Sequence, residues 1–184
     1  FITLTALVIA ILIAVPLGIL LYFNPKTSNF ILYLAGLLQT IPSIALLAIM
    51  IPLLGIGALP AIVALFFYAI LPILRNTVNG LRNVDPLLKE AAAGLGMSRM
   101  QAMRFVEWPL ALPTILTGIR IAAVINVGTA TLAAFIGAGG LGEYIVTGLA
   151  LNDTQMILKG ALPAAALAII IELIFELIER RSLP

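Results

Sequence analysis

The sequence predicts an all-α membrane protein with about five transmembrane helices. Apolar residues occupy 62% of the 184 positions, against about 45–50% in a typical soluble domain. Charged residues occupy only 10%, against about 25%. No charge lies between Lys26 and Arg75, a run long enough for two crossings at about 20 residues each. These observations exclude a water-soluble fold, and we expect a single membrane domain over residues 1–184.

Each predicted span is an apolar run that ends at charges or at turn residues. The long uncharged run turns at the Gly/Pro-rich segment Leu54–Pro60. A fourth run lies between Arg120 and Glu143, and a fifth closes the chain. The predicted helices are at 2–23, 30–53, 58–75, 109–136 and 158–179. They leave a polar segment near 76–108 and a second loop near 137–157.

The distribution of Lys and Arg predicts the orientation. With the first connector on the cytoplasmic side, the outer side holds only Lys159. The inner side then holds Lys26, Arg75, Arg82, Lys89, Arg99, Arg104, Arg180 and Arg181. Because cytoplasmic loops carry an excess of Lys and Arg, we expect the N-terminus outside and the C-terminus in the cytoplasm of a multi-pass cell-membrane protein.

The chain has no histidine and no cysteine. This excludes disulfides, haem and iron–sulfur ligation, Cys/His zinc sites and any nucleophile that needs an imidazole base. Carboxylate sites survive the exclusion. We expect no catalytic residues and no metal site in this chain. The functional interpretation therefore depends on the polar segments.

The polar segment near 76–108 predicts two short helices. Asp85 followed by Pro86 is typical of a helix start, and Gly94 and Gly96 are typical of its end. Ser98 with Gln101 three residues later predicts a capping box that starts the second helix. We expect Pro109 to limit that helix. On these residues alone, an amphipathic connector lying on the membrane surface is an equally good interpretation.

The stretch EAAAGLGMSRMQAMRFVEWPLALP, Glu90 to Pro113, resembles the EAA loop of permease subunits of ATP-binding-cassette (ABC) importers. Its Glu-Ala-Ala is followed by Gly96 six residues after Glu90, and Trp108 stands where the family more often has Leu. The resemblance extends over nearly the whole chain, from about Gly36 to Gly160, through the flanks LLQTIPSIALLAIMIPLLGIG, LPILRNTVNGLRNVD, TGIRIAA and AAFIGAGGLGEYI. Within the superfamily the chain is most similar to permeases for glycine betaine, choline and carnitine.

The resemblance implies a type I ABC importer permease core with a cytoplasmic coupling-helix loop at about 82–108. It implies that this loop docks on an ATPase through Glu90, Ala91, Ala92, Gly94, Gly96, Met97, Ser98 and Arg99. It also implies a second permease copy or a paralogue, two cytoplasmic ATPase subunits, and an extracytoplasmic binding protein or a fused binding domain. ATP and Mg would be bound by the ATPase, so this chain is expected to bind no cofactor, to interact with lipid but not nucleic acid, and not to be an enzyme.

The segment Gly137–Gly142 matches G-x-G-x-x-G, but it is not expected to bind a dinucleotide. A predicted spanning helix precedes it where a strand is required, and Asp153 follows too early for the ribose contact. A tight outer-side turn before a short helix near Glu143 is the better interpretation. The family resemblance places this loop where the binding protein docks.

The few polar residues inside the spans are candidates for the lining of a solute pathway. They are Gln39, Thr40, Ser43, Tyr68, Asn126, Thr129 and Thr131. Taken singly, such residues more often mediate helix packing. No cluster of aromatic residues predicts a cage for a quaternary ammonium group. The solute therefore stays open between osmoprotectants and another small zwitterion of the ergothioneine or methionine type.

Arg120 and Glu172 are the charges deepest in the predicted spans. A lone charge there costs about 2.5–3.5 kcal/mol, so each needs a partner or a water-filled cavity. They either pair with each other or act separately, Arg120 extending to the interface and Glu172 facing a wet cavity. Glu172 with Glu176 is also the only support for a rival functional class, an ion-coupled secondary carrier or an intramembrane hydrolase that uses paired carboxylates. That rival lacks a second acid inside the membrane on another helix.

Overall fold

The computed structural model describes residues 1–182, and every regular element in that range is helical. The helices are α1 Ile2–Tyr22, α2 Pro25–Thr40, α3 Ser43–Leu54, α4 Ala58–Arg82, α5 Pro86–Gly94, α6 Arg99–Ala102, α7 Trp108–Leu132, α8 Leu141–Leu151 and α9 Thr154–Ser182. A π-helical turn at Met103–Glu107 joins α6 to α7, and a 3₁₀ turn at Ala133–Ile136 follows α7. This agrees with the predicted all-α fold.

The core lies where α1, α4 and α7 pack against one another. A Cβ added at Gly18 of α1 would lie 2.7 Å from Thr77 Cβ of α4, closer than van der Waals contact permits. A Cβ added at Gly118 of α7 would lie 2.6 Å from Asn76 Cβ, also on α4. Small residues therefore let the three backbones approach closely, as in other membrane helix bundles. By contrast, α9 packs on α7 and α8 and leaves most of its surface uncovered.

The predicted second span, 30–53, is not one helix. It is broken at Ile41–Pro42 into α2 and α3, whose axes differ by 95°. Pro42 has no N–H and forces the preceding Ile41 out of the helical region, to ψ 125°. The Tyr68 hydroxyl of α4 donates a hydrogen bond to the freed carbonyl of Ile41. Within residues 1–182 there are four unbroken candidate spans, or five if the bent pair counts as one.

The polar segment near 76–108 forms the two predicted short helices, but Pro109 does not end the second. From α6 the chain passes through the π-helical turn directly into α7. In this turn the Trp108 N–H donates to the Met103 carbonyl, five residues earlier. A regular α-helix would bring the ring of Pro109 against the carbonyl four residues before it, and the wider π turn avoids that clash.

Two other predicted boundaries also move. The third helix continues to Arg82 rather than stopping at Arg75, so α4 is longer than predicted. The last helix starts at Thr154, because Asp153 Oδ1 accepts hydrogen bonds from the N–H groups of Gln155 and Met156. We call the end of the bundle that carries α5 and α6 the basic end, and the other end the 137–142 end.

Candidate functional site

The candidate coupling segment, residues 85–107, is shaped by local hydrogen bonds at each helix terminus. Asp85 Oδ1 accepts from the Leu87 N–H at 2.8 Å and caps α5. At the other end of α5, the Gly96 and Met97 N–H groups donate to the carbonyls of Ala93 and Ala92, which is a Schellman motif. This motif requires the positive φ of 75° seen at Gly96. The segment therefore has a backbone fixed by its own sequence.

The second predicted start signal also forms. Ser98 and Gln101 make a capping box, in which the Ser98 hydroxyl accepts from the Gln101 N–H and the Gln101 side chain accepts from the Ser98 N–H. Together with the Schellman motif, this box sets the angle between α5 and α6. A fixed angle gives the segment a defined shape for a partner to recognise.

Most of the residues predicted to contact an ATPase lie on the outside of the segment. Glu90, Ala91, Gly94, Gly96, Ser98 and Arg99 are exposed, and Met97 is half-buried. Ala92 is different, because only 3% of it is exposed and it faces its own chain. Within residues 1–182, no atom lies within 4 Å of a Cβ added at Gly94 or Gly96. The open side of these glycines is free to meet another protein.

Large apolar side chains share this surface. Leu95 is 78% exposed and Met100 is 70% exposed. Leu87, Leu88 and Phe105 are also exposed. They lie among charges that a bilayer core would not accept, namely Glu90, Arg99 and Arg104. An exposed apolar patch rimmed by charges is typical of a protein–protein interface.

The predicted pathway residues near the broken span are tied to the backbone. Gln39 Nε2 donates to the Tyr68 carbonyl at 3.0 Å, and the Tyr68 hydroxyl bonds across the break. Thr40 Oγ1 donates to the Leu37 carbonyl at 2.7 Å. Ser43, half-buried, begins α3. These contacts support the helix-packing interpretation for Gln39, Thr40 and Tyr68.

Asn126 and Thr129 lie inside the bundle on α7. Thr131, also on α7, donates to the Gly128 carbonyl at 2.7 Å. Asn126 is fully buried, and neither atom of its amide has a hydrogen-bond partner within residues 1–182. A buried amide without partners costs free energy, so this position demands an explanation that packing alone does not give. Thr129 is buried one turn from it.

The sequence interpretation missed a polar strip on α4, formed by Arg75, Asn79 and Asn83 at the third of the helix nearest the basic end. Between Leu59 and Arg75 every residue of α4 is buried or half-buried, because α4 is central in the bundle. The residues it then exposes are all polar, namely Arg75, Asn79 and Asn83, the last just past its end. By contrast, the exposed positions of α9 between Leu162 and Ile178 are all apolar. The strip is therefore suited to water rather than to lipid.

The structure brings the two deepest charges together and adds a third. Arg120 Nη1 of α7 lies 3.5 Å from Glu172 Oε1 and 3.5 Å from Glu179 Oε2, both on α9. Thr117 Oγ1 lies 2.6 Å from the other Glu179 oxygen. Glu176 points elsewhere and pairs with Arg180 at 2.7 Å. The participation of Glu179 was not predicted, since it reads as an interfacial charge beside Arg180.

At the 137–142 end, the G-x-G-x-x-G segment forms a turn between helices. Gly137 and Gly139 have positive φ values of 74° and 78°, and a Cβ on Gly142 would lie 2.0 Å from the Thr131 carbonyl oxygen. The glycines thus allow a turn and a close approach between two backbones.

A cavity of about 480 Å³ lies beside this turn, between the start of α1, α7 and α9. Within the described residues no group of three acidic side chains is placed to hold a metal ion.

The chain is similar to a family and to curated proteins over nearly its whole length. Residues 6–183 match the family described as binding-protein-dependent transport system inner membrane component. The chain is 48% identical to a choline transport system permease protein of Bacillus subtilis over 183 residues, covering 100% of this chain and 84% of that protein. It is 49% identical to a carnitine transport permease protein of Listeria monocytogenes over 184 residues, with the same coverage.

Two further similarities concern Salmonella and a solved structure. An osmoprotectant import permease protein of Salmonella typhimurium is 47% identical over 169 residues, covering 89% of this chain and 79% of that protein. A chain in an inward-facing structure of the MetNI methionine ABC transporter matches with a TM-score of 0.88 at 27% identity, covering 100% of this chain and 92% of that one.

Proposed function

Because the chain belongs to the family of inner membrane components of binding-protein-dependent transport systems, we propose that it is the permease through which an ATP-driven importer takes up small quaternary-amine osmoprotectants. The solutes are glycine betaine, choline and carnitine, which name the transport systems of its relatives at 48–49% identity. The match to these relatives over 183 or 184 residues is the single observation that carries this proposal.

The permease acts within an assembly. We infer that it pairs with a second permease chain, that two ATPase subunits bind the apolar patch and the open glycines of the coupling segment, and that a binding protein delivers solute at the 137–142 end. ATP and Mg belong to the ATPase subunits, and this chain performs no chemistry. The basic end then faces the cytoplasm, since Lys and Arg accumulate on that side of inner-membrane proteins.

Solute passes by alternating access. ATP binding closes the two ATPases on each other and moves the coupling segments, and the spanning helices then change from inward-facing to outward-facing. The polar strip of α4 supplies wet surface to the cytoplasmic half of the path. Asn126, with its unpaired amide, supplies a polar group at membrane depth.

A second solute class is supported by one observation, the 0.88 TM-score to a methionine transporter chain. The lower identity of 27% makes methionine or an ergothioneine-type betaine the weaker candidate. An ion-coupled carrier using Glu172 is weaker still, because Glu172 already forms an ion pair with Arg120.

The test is transport by the reconstituted assembly. The permease, its ATPase and its binding protein are placed in liposomes, and uptake of glycine betaine, choline, carnitine and methionine is measured with and without ATP inside the vesicle. We expect ATP-dependent uptake of at least one quaternary amine and none of methionine. Uptake of methionine alone would overturn the solute class. Uptake that does not depend on ATP but is abolished by a protonophore would favour the ion-coupled secondary carrier.

A further inference from the structure

The coupling segment reaches the basic end of α1 through side chains that come from three different elements. The three are Lys89 of α5, Arg99 of α6 and Glu107 of the π-helical turn. All of them converge on two adjacent aromatic residues, Tyr22 and Phe23, at the point where α1 ends. We call this set of five residues the α1 junction.

Lys89 is the centre of the junction. Its ammonium lies 3.3 Å from the Tyr22 hydroxyl and 5.4 Å from the centroid of the Tyr22 ring. The same ammonium donates to the carbonyls of Leu81 at 2.9 Å and Arg82 at 3.5 Å, in the last turn of α4. A positive charge at a helix C-terminus is stabilised by the carbonyl dipoles there. One side chain thus joins α5, α4 and α1.

The other two contacts complete the attachment. The Glu107 side chain is buried and interacts electrostatically with the Tyr22 hydroxyl. Because that hydroxyl also accepts from the Lys89 ammonium, Tyr22 lies between a cationic and an acidic side chain of the coupling segment. The Arg99 guanidinium stacks over the Phe23 ring at 4.4 Å.

The coupling segment is not joined to α1 by a direct chain connection. The coupling segment follows α4 and runs directly into α7, so a displacement of α5 and α6 reaches those two helices through the backbone. It reaches α1 across space, directly through the α1 junction and indirectly through the packing of α1 on α4 and α7. Further along α1, Gly18 lies directly against Thr77 of α4, so α1 cannot shift there without moving α4.

We propose that the α1 junction transmits the movement of the coupling segment to α1, so that α1, α4 and α7 move as one body when the ATPase closes. This inference rests on the proposed function, and it adds that Lys89, Tyr22, Glu107, Arg99 and Phe23 are positioning residues for energy coupling. Lys89 and Glu107 lie on the side of the coupling segment that faces its own chain, whereas Arg99 is also exposed. Loss of the contact between Lys89 and Tyr22 therefore leaves the outward surface that binds the ATPase in place.

The test separates transport from ATP hydrolysis. The variants Lys89→Met and Tyr22→Phe are compared with Lys26→Met and Tyr33→Phe, which change an exposed lysine and an exposed tyrosine of α2. We expect the first pair to retain the ATPase on purification and to hydrolyse ATP, but to import at least about tenfold less glycine betaine per ATP, because closure no longer drives the whole bundle. The two control variants keep the wild-type ratio, and Lys89→Arg restores most of it.

A distance measurement decides the inference without reference to the solute. Nitroxide labels are placed at Leu20 of α1 and Leu173 of α9, both exposed, and their separation is measured in the ATPase complex with and without trapped ATP. We expect the separation to stay the same in the wild-type protein, because α1 moves together with α7 and α9 is ion-paired to α7. In Lys89→Met and in the mild variant Tyr22→Phe we expect the separation to change when ATP is trapped, because α1 no longer follows. An unchanged solute-to-ATP ratio, or an unchanged separation in both variants, would overturn the proposal. A separation that changes only in the two variants, in an assembly whose wild type imports no quaternary amine, would instead contradict the proposed solute.

Discussion

Arg120 of α7 and Glu172 of α9 are ion-paired across the helix interface, with Nη1 and Oε1 3.5 Å apart. Arg120 is at the midpoint of α7, and the same nitrogen also meets Glu179, seven residues after Glu172 on α9. Seven residues are close to two helical turns, so the two carboxylates project from one face of α9 and converge on one guanidinium. The pair fixes the position of α9 along α7.

Charge reversal at either member of this pair should impair transport. Arg120→Glu or Glu172→Arg places like charges together below the surface, and we expect uptake to fall by at least about tenfold. The double swap should recover part of the loss, because it restores the pair, although Glu179 remains beside the new carboxylate. Uptake in proteoliposomes measures this. Glu176→Gln is the matched control, since Glu176 pairs with Arg180 outside the cluster.

Losses that simply add, with no recovery in the double swap, would show that Arg120 and Glu172 act separately. Glu179→Gln provides a further check. In the wild-type background it removes one of the two partners of Arg120, and in the double swap it removes the remaining repulsion. We therefore expect it to reduce uptake in the first case and to increase it in the second.

The orientation of the chain can be tested directly, because the sequence has no native cysteine. Single cysteines at the exposed positions Thr27 and Asn83 should react with a membrane-impermeant maleimide only from the cytoplasm. Cysteines at Ile56 and Leu151, exposed at the opposite end, should react only from outside. Ser28 is unsuitable because it is fully buried. Reaction of Asn83→Cys and Leu151→Cys from the same side would contradict the arrangement of spans.

The polar strip of α4 predicts a state-dependent accessibility. A cysteine at Asn79 should react with a water-soluble maleimide from the cytoplasm in the absence of nucleotide, and more slowly once ATP is trapped, because the inward-facing half of the path closes. A cysteine at Ile170, on the apolar exposed face of α9, should stay unreactive in both states. Equal reaction rates of Asn79→Cys in the two states would remove the strip from the path.

Local features of the fold were the most predictable from the sequence. The caps at Asp85 and Ser98 depend on residues two or three positions apart, and both form as expected. The bend at Pro42 was missed although the signal is present, because the apolar run continues through it and hydropathy alone does not register a break. The sequence also predicts too short an α4, because a charge such as Arg75 is typical of the end of a span whereas the helix continues to Arg82.

Contacts between distant residues were less predictable. The contact between Arg120 and Glu172 was one of two open alternatives, since nominal depths along separate helices ignore helix tilt and side-chain reach. The α1 junction had no sequence signal, because Tyr22 and Lys89 are 67 residues apart and meet only through the packing of α1 on α4. Which face of α4 is exposed likewise depends on the helices around it.

Gly94 and Gly96 of the coupling segment should respond differently to substitution. Gly94 is the last residue of α5, and an added side chain there meets nothing within 4 Å in the described chain. Gly94→Trp should therefore leave the permease folded in the membrane but reduce ATPase binding and ATP-driven uptake to about a tenth or less, because the added bulk occupies the docking surface. Co-purification of the ATPase, solute uptake and binding-protein affinity measure the effect, and the last should not change.

Gly96 carries an additional backbone requirement. Its φ of 75° costs a non-glycine residue about 1 kcal/mol, and less for asparagine. Gly96→Asn should thus be milder than Gly96→Val, which combines strain with bulk, and Glu90→Lys should impair docking without strain. Thr27→Trp places the same tryptophan side chain at an exposed position outside the segment and should have no effect. Wild-type uptake by Gly94→Trp would mean that the ATPase does not contact this surface, and the assignment of the coupling segment would have to be withdrawn.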